Sequence, residues 1–157
     1  MLRYFAYGAN IDPARMATRV PEAVVVGPGR VERFGVEFTI RDREWGGGVL
    51  NAREDPDATL WGLLYEGPEE AFAVLDTFQG DASLLEKAEV TVLTDAGPVE
   101  AITYRVVPLA NYVRPSDRYL SHLTRAMRAQ GLPPEAVQAV LDADREGGQT
   151  QGPSIVS

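Results

Sequence analysis

Three short stretches of this sequence carry residue types that could do chemistry. The first is Tyr7-Gly8-Ala9-Asn10, between an apolar run and Asp12-Pro13. Gly8 lets the backbone turn tightly and approach a ligand closely. Successive N–H groups at a helix start can bind an anion or a developing oxyanion. The Asn10 amide can hydrogen-bond a bound group or hold the loop. A strand-to-helix turn without any ligand accounts for the same residues. The second stretch is LDTFQGD, which sets Asp76, Gln79 and Asp81 between a helix end and a strand start. Such connections carry functional groups disproportionately, and a solvated turn is the alternative. The third is RPSDRYL, which a Ser-capped helix start explains fully. Arg114 and Arg118 read as surface charges, and His122 as a surface or boundary residue of that helix.

Other chemistries are excluded by what is missing. The chain has no cysteine and one histidine, so disulfides, thiolate ligands, a Cys nucleophile and a multi-His metal site are impossible. There is no Gly-x-Ser-x-Gly elbow and no P-loop, and GPGRVERFG lacks the third-glycine spacing of a dinucleotide fingerprint. A net charge of −8 repels phosphate backbones and anionic membranes, so no nucleic acid and no membrane is expected as a partner. No apolar run approaches the roughly 20 residues that span a bilayer. MLRYFAYGAN is too short and too polar for a signal peptide, which predicts a cytoplasmic protein.

The elements that must position these residues follow from pattern. LRYFA reads as a short strand, and Asp12 followed by Pro13 reads as the cap and first position of a short helix. EAVVVGPGRVERFGVEFTIR reads as extended segments broken at Gly27–Gly29. EWGGGVLNARED reads as a glycine-rich turn leading into a strand around Val49–Ala52. ATLWGLLYEG is a near-continuous apolar strand. PEEAFAVLDTF predicts a helix with Phe72, Leu75 and Phe78 on one stripe, and two β-rich runs about DAGP predict a hairpin. SDRYLSHLTRAMRAQGLPPEAVQAVLDADRE predicts two helices, with Ser116 capping the first, Gly131 stopping it and Pro134 opening the second. The order predicts an α+β fold: a small curved sheet or β-barrel, one helix between strands and two C-terminal helices packed outside. Residues 1–145 form one domain, and the Gly/Gln/Ser-rich residues 146–157 read as a loose tail.

The ordered set YFAYGAN, ARMATRVPEA, LWGLLYEG, LDTFQG, VEAITYRV, PSDRYL and GLPPEAV resembles the γ-glutamyl cyclotransferase-like family, which includes AIG2-like proteins. The resemblance covers residues 2–145. It implies a small β-barrel-like α+β fold and a cofactor-independent reaction in which γ-glutamyl amides cyclise to 5-oxoproline and release an amine. The substrate's own α-amine attacks its γ-carbonyl, so the protein must fold the chain for attack, move a proton and stabilise an oxyanion. The family's Tyr-Gly-Ser-Asn loop falls on Tyr7, Gly8, Ala9 and Asn10, which are then the substrate-binding residues, and Ala9 has lost a hydroxyl.

The family's proton-shuttling glutamate, in Leu-Asp-x-x-Glu-Gly, falls on Gln79, whose amide neither accepts nor donates a proton usefully near pH 7. Seven residues later, where family members often carry tyrosine, stands Glu86. The resemblance therefore implies a pocket for a γ-glutamyl group or related small molecule with the usual base neutralised. The alternatives are an active cyclotransferase using Glu86 (or Asp81) as a substitute base, and a non-catalytic structural domain. Glu86 read alone is a solvated strand-end charge beside Lys87.

Overall fold

Leu2–Ala6 form β1, whose Phe5 and Ala6 are buried. The computed structural model describes residues 1–77, 85–107 and 111–151. After β1 come a 3-10 turn at Ala9–Ile11, α1 (Pro13–Arg19), β2 (Val24–Asp42) and β3 (Gly47–Gly67). A 3-10 helix (Glu69–Thr77), β4 (Leu85–Thr94), β5 (Gly97–Val106), α2 (Asp117–Ala129) and α3 (Pro134–Gln151) complete the chain. The strands close into a barrel in the order β1-β3-β2-β4-β5. The fold is α+β, with its helices outside the barrel. Apolar side chains of β1 and β3, among them Phe5, Leu63 and Leu64, are fully buried on the two faces of the sheet.

The breaks expected at Gly27–Gly29 do not interrupt β2. Gly27, Pro28 and Gly29 pair in register with Leu64, Leu63 and Gly62, and the ladder shifts register between Val25 and Gly27, Glu32 and Phe34, and Phe38 and Ile40. A bulge adds a residue and bends a strand without ending its pairing. The two strands expected on either side of Asp55-Pro56-Asp57 likewise fuse into β3. Between the pairs Glu32↔Thr59 and Phe34↔Glu54, Arg33 alone faces residues 55–58, and Arg33 sits at φ +70°. Pro56 is tolerated there because a bulge asks for no ladder N–H. The long β2–β3 hairpin that results reaches past the barrel, and its tip lands beside the first loop.

The helix expected after Pro68 is 3-10 in form. Phe72 and Leu75 are buried one turn apart, which suits three residues per turn. Phe78, the third member of that stripe, lies outside the described residues. The caps read from sequence are present. The Asp12 carboxylate accepts from the Ala14 N–H at 3.0 Å, and Ser116 Oγ accepts from the Tyr119 N–H at 3.1 Å. Gly131 takes φ +79° just beyond α2. α3 continues past residue 145 to Gln151. Gly147 makes this possible: a Cβ there would come within 2.3 Å of the Tyr112 ring, whose hydroxyl donates to Asp144 at 2.6 Å. No helix among the described residues is long and apolar enough to cross a membrane.

Candidate functional site

The tip of the β2–β3 hairpin is the four-residue turn 43–46. Asp42 closes it twice, accepting from the Trp45 N–H on its carboxylate at 3.0 Å and from the Gly46 N–H on its carbonyl at 3.0 Å. Gly46 supplies the φ of +74° that the turn needs. The next two glycines have another purpose. Residues 113–116 cross directly over them, with Gly48 N–H donating to Arg114 O at 2.8 Å. A Cβ on Gly48 would lie 1.9 Å from Val113 O. The crossing chain then starts α2, and Ser116 Oγ donates to Trp45 O at 2.7 Å. The hairpin tip, α1 and α2 are thereby locked together around the loop that leaves β1.

Between them lies a cavity of about 120 Å³. Tyr7, Gly8, Ala9 and Asn10 all line it, as do Tyr4, Tyr104 and Tyr119. Charged groups of both signs, Arg15, Arg19, Asp42 and Glu44, and the Trp45 indole complete the wall. Gly8 stands against α2 here, and a Cβ on it would meet Tyr119 Oη at 3.5 Å. The Asn10 side-chain amide donates to Tyr4 Oη at 3.3 Å, and the Asn10 backbone carbonyl accepts from the Tyr65 hydroxyl at 2.6 Å. Asn10 thus holds the loop as well as facing the cavity.

The tyrosines hold the wall in place. Tyr7 Oη donates to Tyr104 O at 2.6 Å and accepts from the Ala52 N–H at 3.1 Å. Tyr119 Oη accepts from the Leu50 N–H at 3.1 Å. No bond among the described residues takes up the Tyr119 hydroxyl proton, so it remains available to a ligand. Burial pushes the hydroxyls of Tyr4, Tyr7, Tyr104 and Tyr119 up from the ordinary phenol value. All four stay protonated at neutral pH. The Tyr104 hydroxyl donates to Asp76 Oδ1 at 2.6 Å, and Lys87 Nζ lies 3.4 Å from the same oxygen.

At the mouth, Glu44 receives Arg15 at 2.9 Å and Arg19 at 3.4 Å. Arg118 donates to the Glu44 carbonyl. Trp45 is flanked by Arg15 at 4.8 Å and Arg118 at 4.6 Å and packs on His122 at 5.0 Å. Arg118 is an exposed surface charge, as expected, that also stacks on Trp45 and bonds the hairpin tip. The hydrogen bond from Arg15 holds the Glu44 carboxyl below its ordinary value of 4.5. Because its value is lowered on folding, Glu44 adds stability that is present above about pH 4.5 and lost as pH falls through the lower folded value. The melting-temperature difference between the parent and Glu44→Gln should accordingly be constant near pH 7 and shrink toward zero on acidification. Salt should reduce it, since Glu44 is more than half exposed.

Two of the sequence candidates, Gln79 and Asp81, lie outside the described residues. Glu86 pairs across strands with Arg105 and lies 4.0 Å from its guanidinium. It is not among the residues lining the cavity. The next pair along, Lys87 with Tyr104, presents the opposite face, because side chains alternate along a strand. Trp45, Glu44 and Tyr104 had no motif to announce them, and Asp76, a sequence candidate, meets the cavity only through Tyr104. The one available signal was an aromatic followed by three glycines, which also reads as an ordinary turn.

Comparison with known proteins places this architecture among relatives. Residues 59–140 match the AIG2-like family. A gamma-glutamylcyclotransferase of Bos taurus is 32% identical over 139 residues, covering 84% of this chain and 73% of that protein. The Mus musculus gamma-glutamylcyclotransferase is 29% identical with the same coverage. A solved gamma-glutamyl cyclotransferase structure superposes with a TM-score of 0.80 at 26% identity, covering 87% of this chain and 84% of that one.

Proposed function

This chain belongs to the γ-glutamylcyclotransferase family with its AIG2-like members, and on that premise we propose that the cavity beside Gly8 holds the γ-glutamyl group of a small molecule. The observation that carries this reading is the pairing of loop and charge. The Tyr7–Asn10 loop forms one side of a small hollow whose other walls bring arginines, carboxylates and neutral hydroxyls together. A γ-glutamyl headgroup bears an ammonium, a carboxylate and an amide carbonyl. Each has a complementary group here, and a hollow of about 120 Å³ suits a headgroup of that size. The free proton of Tyr119, next to Gly8, is suited to an oxygen that gains charge when the amide carbonyl is attacked.

In this reading the amide at Gln79 stands where the family's proton-shuttling glutamate would be, so the site keeps its binding groups without the usual base. Binding is the first test. γ-Glutamyl-alanine and 5-oxoproline at millimolar concentration should raise the melting temperature. At a hundred times Kd the gain is about 2.7 kcal/mol, or roughly 5–10 °C for a chain of this size. Tyr119→Phe should lower the unliganded melting temperature somewhat, since the Leu50 N–H loses its acceptor, and should further weaken the ligand-induced shift measured from that new baseline. An unmoved melting curve with both compounds would sink this reading in favour of a purely structural domain.

A further inference from the structure

We propose that this protein still turns its γ-glutamyl ligand over, with the Tyr104 hydroxyl relaying the proton to Asp76 in place of a carboxylate at position 79. The proposal rests on the γ-glutamyl reading above and goes further, because that reading needs only binding.

The described carboxylates near the cavity reduce to three. Glu44 is held by two arginines and its proton affinity is lowered, so it is a poor base. Asp42 closes the hairpin turn through its Oδ1. Asp76 does not line the cavity itself, but its Oδ1 accepts the hydroxyl proton of Tyr104, which does, at 2.6 Å. Glu86 sits on the opposite face of β4, paired with Arg105. The Asp76–Tyr104 pair joins a carboxylate outside the cavity to a neutral hydroxyl of its wall by a hydrogen bond.

The geometry suits a relay. A hydroxyl can accept a proton on its oxygen while giving up its own. Tyr104 is buried and stays neutral, as a relay must. Asp76 is half exposed, with Lys87 Nζ 3.4 Å from its oxygen and 5.7 Å from the Tyr104 ring. The steps balance as follows. The substrate ammonium gives a proton to Tyr104 Oη as Tyr104 gives its own to Asp76, leaving a neutral amine and a neutral acid. The amine lone pair forms the C–N bond of the lactam, and the carbonyl π electrons move to oxygen. The relay then runs backward, and Asp76 returns its proton through Tyr104 to the leaving nitrogen as the old C–N bond breaks. The surplus proton on the ring nitrogen passes to the departing amine, which leaves as an ammonium ion. Asp76 never touches the substrate, so it acts through Tyr104, the catalytic residue, by orienting its hydroxyl and taking up its proton.

The test measures 5-oxoproline release from γ-glutamyl-alanine alongside 5-oxoproline binding. The parent should turn over. Asp76→Asn and Tyr104→Phe should each lower kcat about a hundredfold, the size of a general acid–base contribution, with Kd for 5-oxoproline within twofold of the parent. The double variant should be no slower than either single one, because both interrupt one path. Asp76→Glu should recover part of the rate, which a merely structural role would not predict. Adding Gln79→Glu to Asp76→Asn should restore turnover by supplying a direct base. A parent that binds 5-oxoproline yet releases none from γ-glutamyl-alanine overturns the relay and leaves the binding reading standing. So does an Asp76→Asn variant as fast as the parent. A parent that binds neither compound overturns both.

Discussion

Gln79→Glu is expected to accelerate 5-oxoproline release about a hundredfold over the parent. A well-placed general base contributes about 10²–10⁴-fold. The lower end applies if the proposed Tyr104–Asp76 relay carries part of the proton traffic in the parent. Amide and carboxylate are nearly isosteric, so the exchange changes charge and proton affinity while the backbone and its neighbours keep their places. The gain should appear in kcat, with 5-oxoproline binding little changed. Initial rates at saturating γ-glutamyl-alanine check this directly. A rate equal to the parent's would mean that a carboxylate at position 79 does not take up the proton of the attacking amine.

The second large effect is structural. Gly48→Ala should destabilise the fold by about 3 kcal/mol, the upper end for forcing an extra carbon into a packed place. The melting temperature should fall by roughly 6–12 °C. The new methyl would meet a backbone carbonyl, Val113 O, at 1.9 Å, and backbone has no rotamer by which to move aside. Relief comes only by lifting the crossing segment, which carries the Ser116 cap, the bond to Trp45 O and, one turn on, Tyr119. Ligand binding should therefore weaken together with stability. Gly148→Ala is the contrasting case. It sits in α3 with nothing nearer to an added Cβ than Tyr112 Oη at 3.8 Å, and alanine is the better helix former. Thermal melts of the two variants should move in opposite directions.

The sequence makes the local signals of this fold plain. Asp12-Pro13, Ser116 and Gly131 each satisfy a backbone requirement within a few residues of themselves, so their roles can be read without knowing the rest of the chain. The apolar runs of β1, β3 and the β4–β5 hairpin are legible for the same reason. The continuity of β2 and β3 is not. Gly27, Gly29 and Pro56 look like strand ends, and only pairing with the partner strand keeps Gly27 and Gly29 in the ladder and accommodates Pro56 in a bulge. The site divides along the same line. The Tyr7–Asn10 loop is contiguous and carries a recognisable pattern. The rest of the cavity is assembled from residues distant in sequence. Arg15 meets Glu44 across 29 residues, and Asp76 meets Tyr104 across 28. The three glycines after Trp45 look alike in the sequence, yet one shapes a turn and the next two make room for a crossing chain.

The barrel closes through two narrow seams. β1 meets β5 at the single pair Tyr4↔Ile102, and β2 meets β4 at Arg30↔Leu93. On the first seam, side-chain hydroxyls do what a longer ladder would otherwise do: Thr103 Oγ1 donates to Phe5 O at 2.7 Å, and Tyr7 Oη to Tyr104 O. Those stitches join the strand that leads into the Tyr7–Asn10 loop to the strand that bears Tyr104. This seam runs beside the cavity that Tyr7, Thr103 and Tyr104 line. The proposed relay therefore depends on a few hydroxyl sutures staying closed.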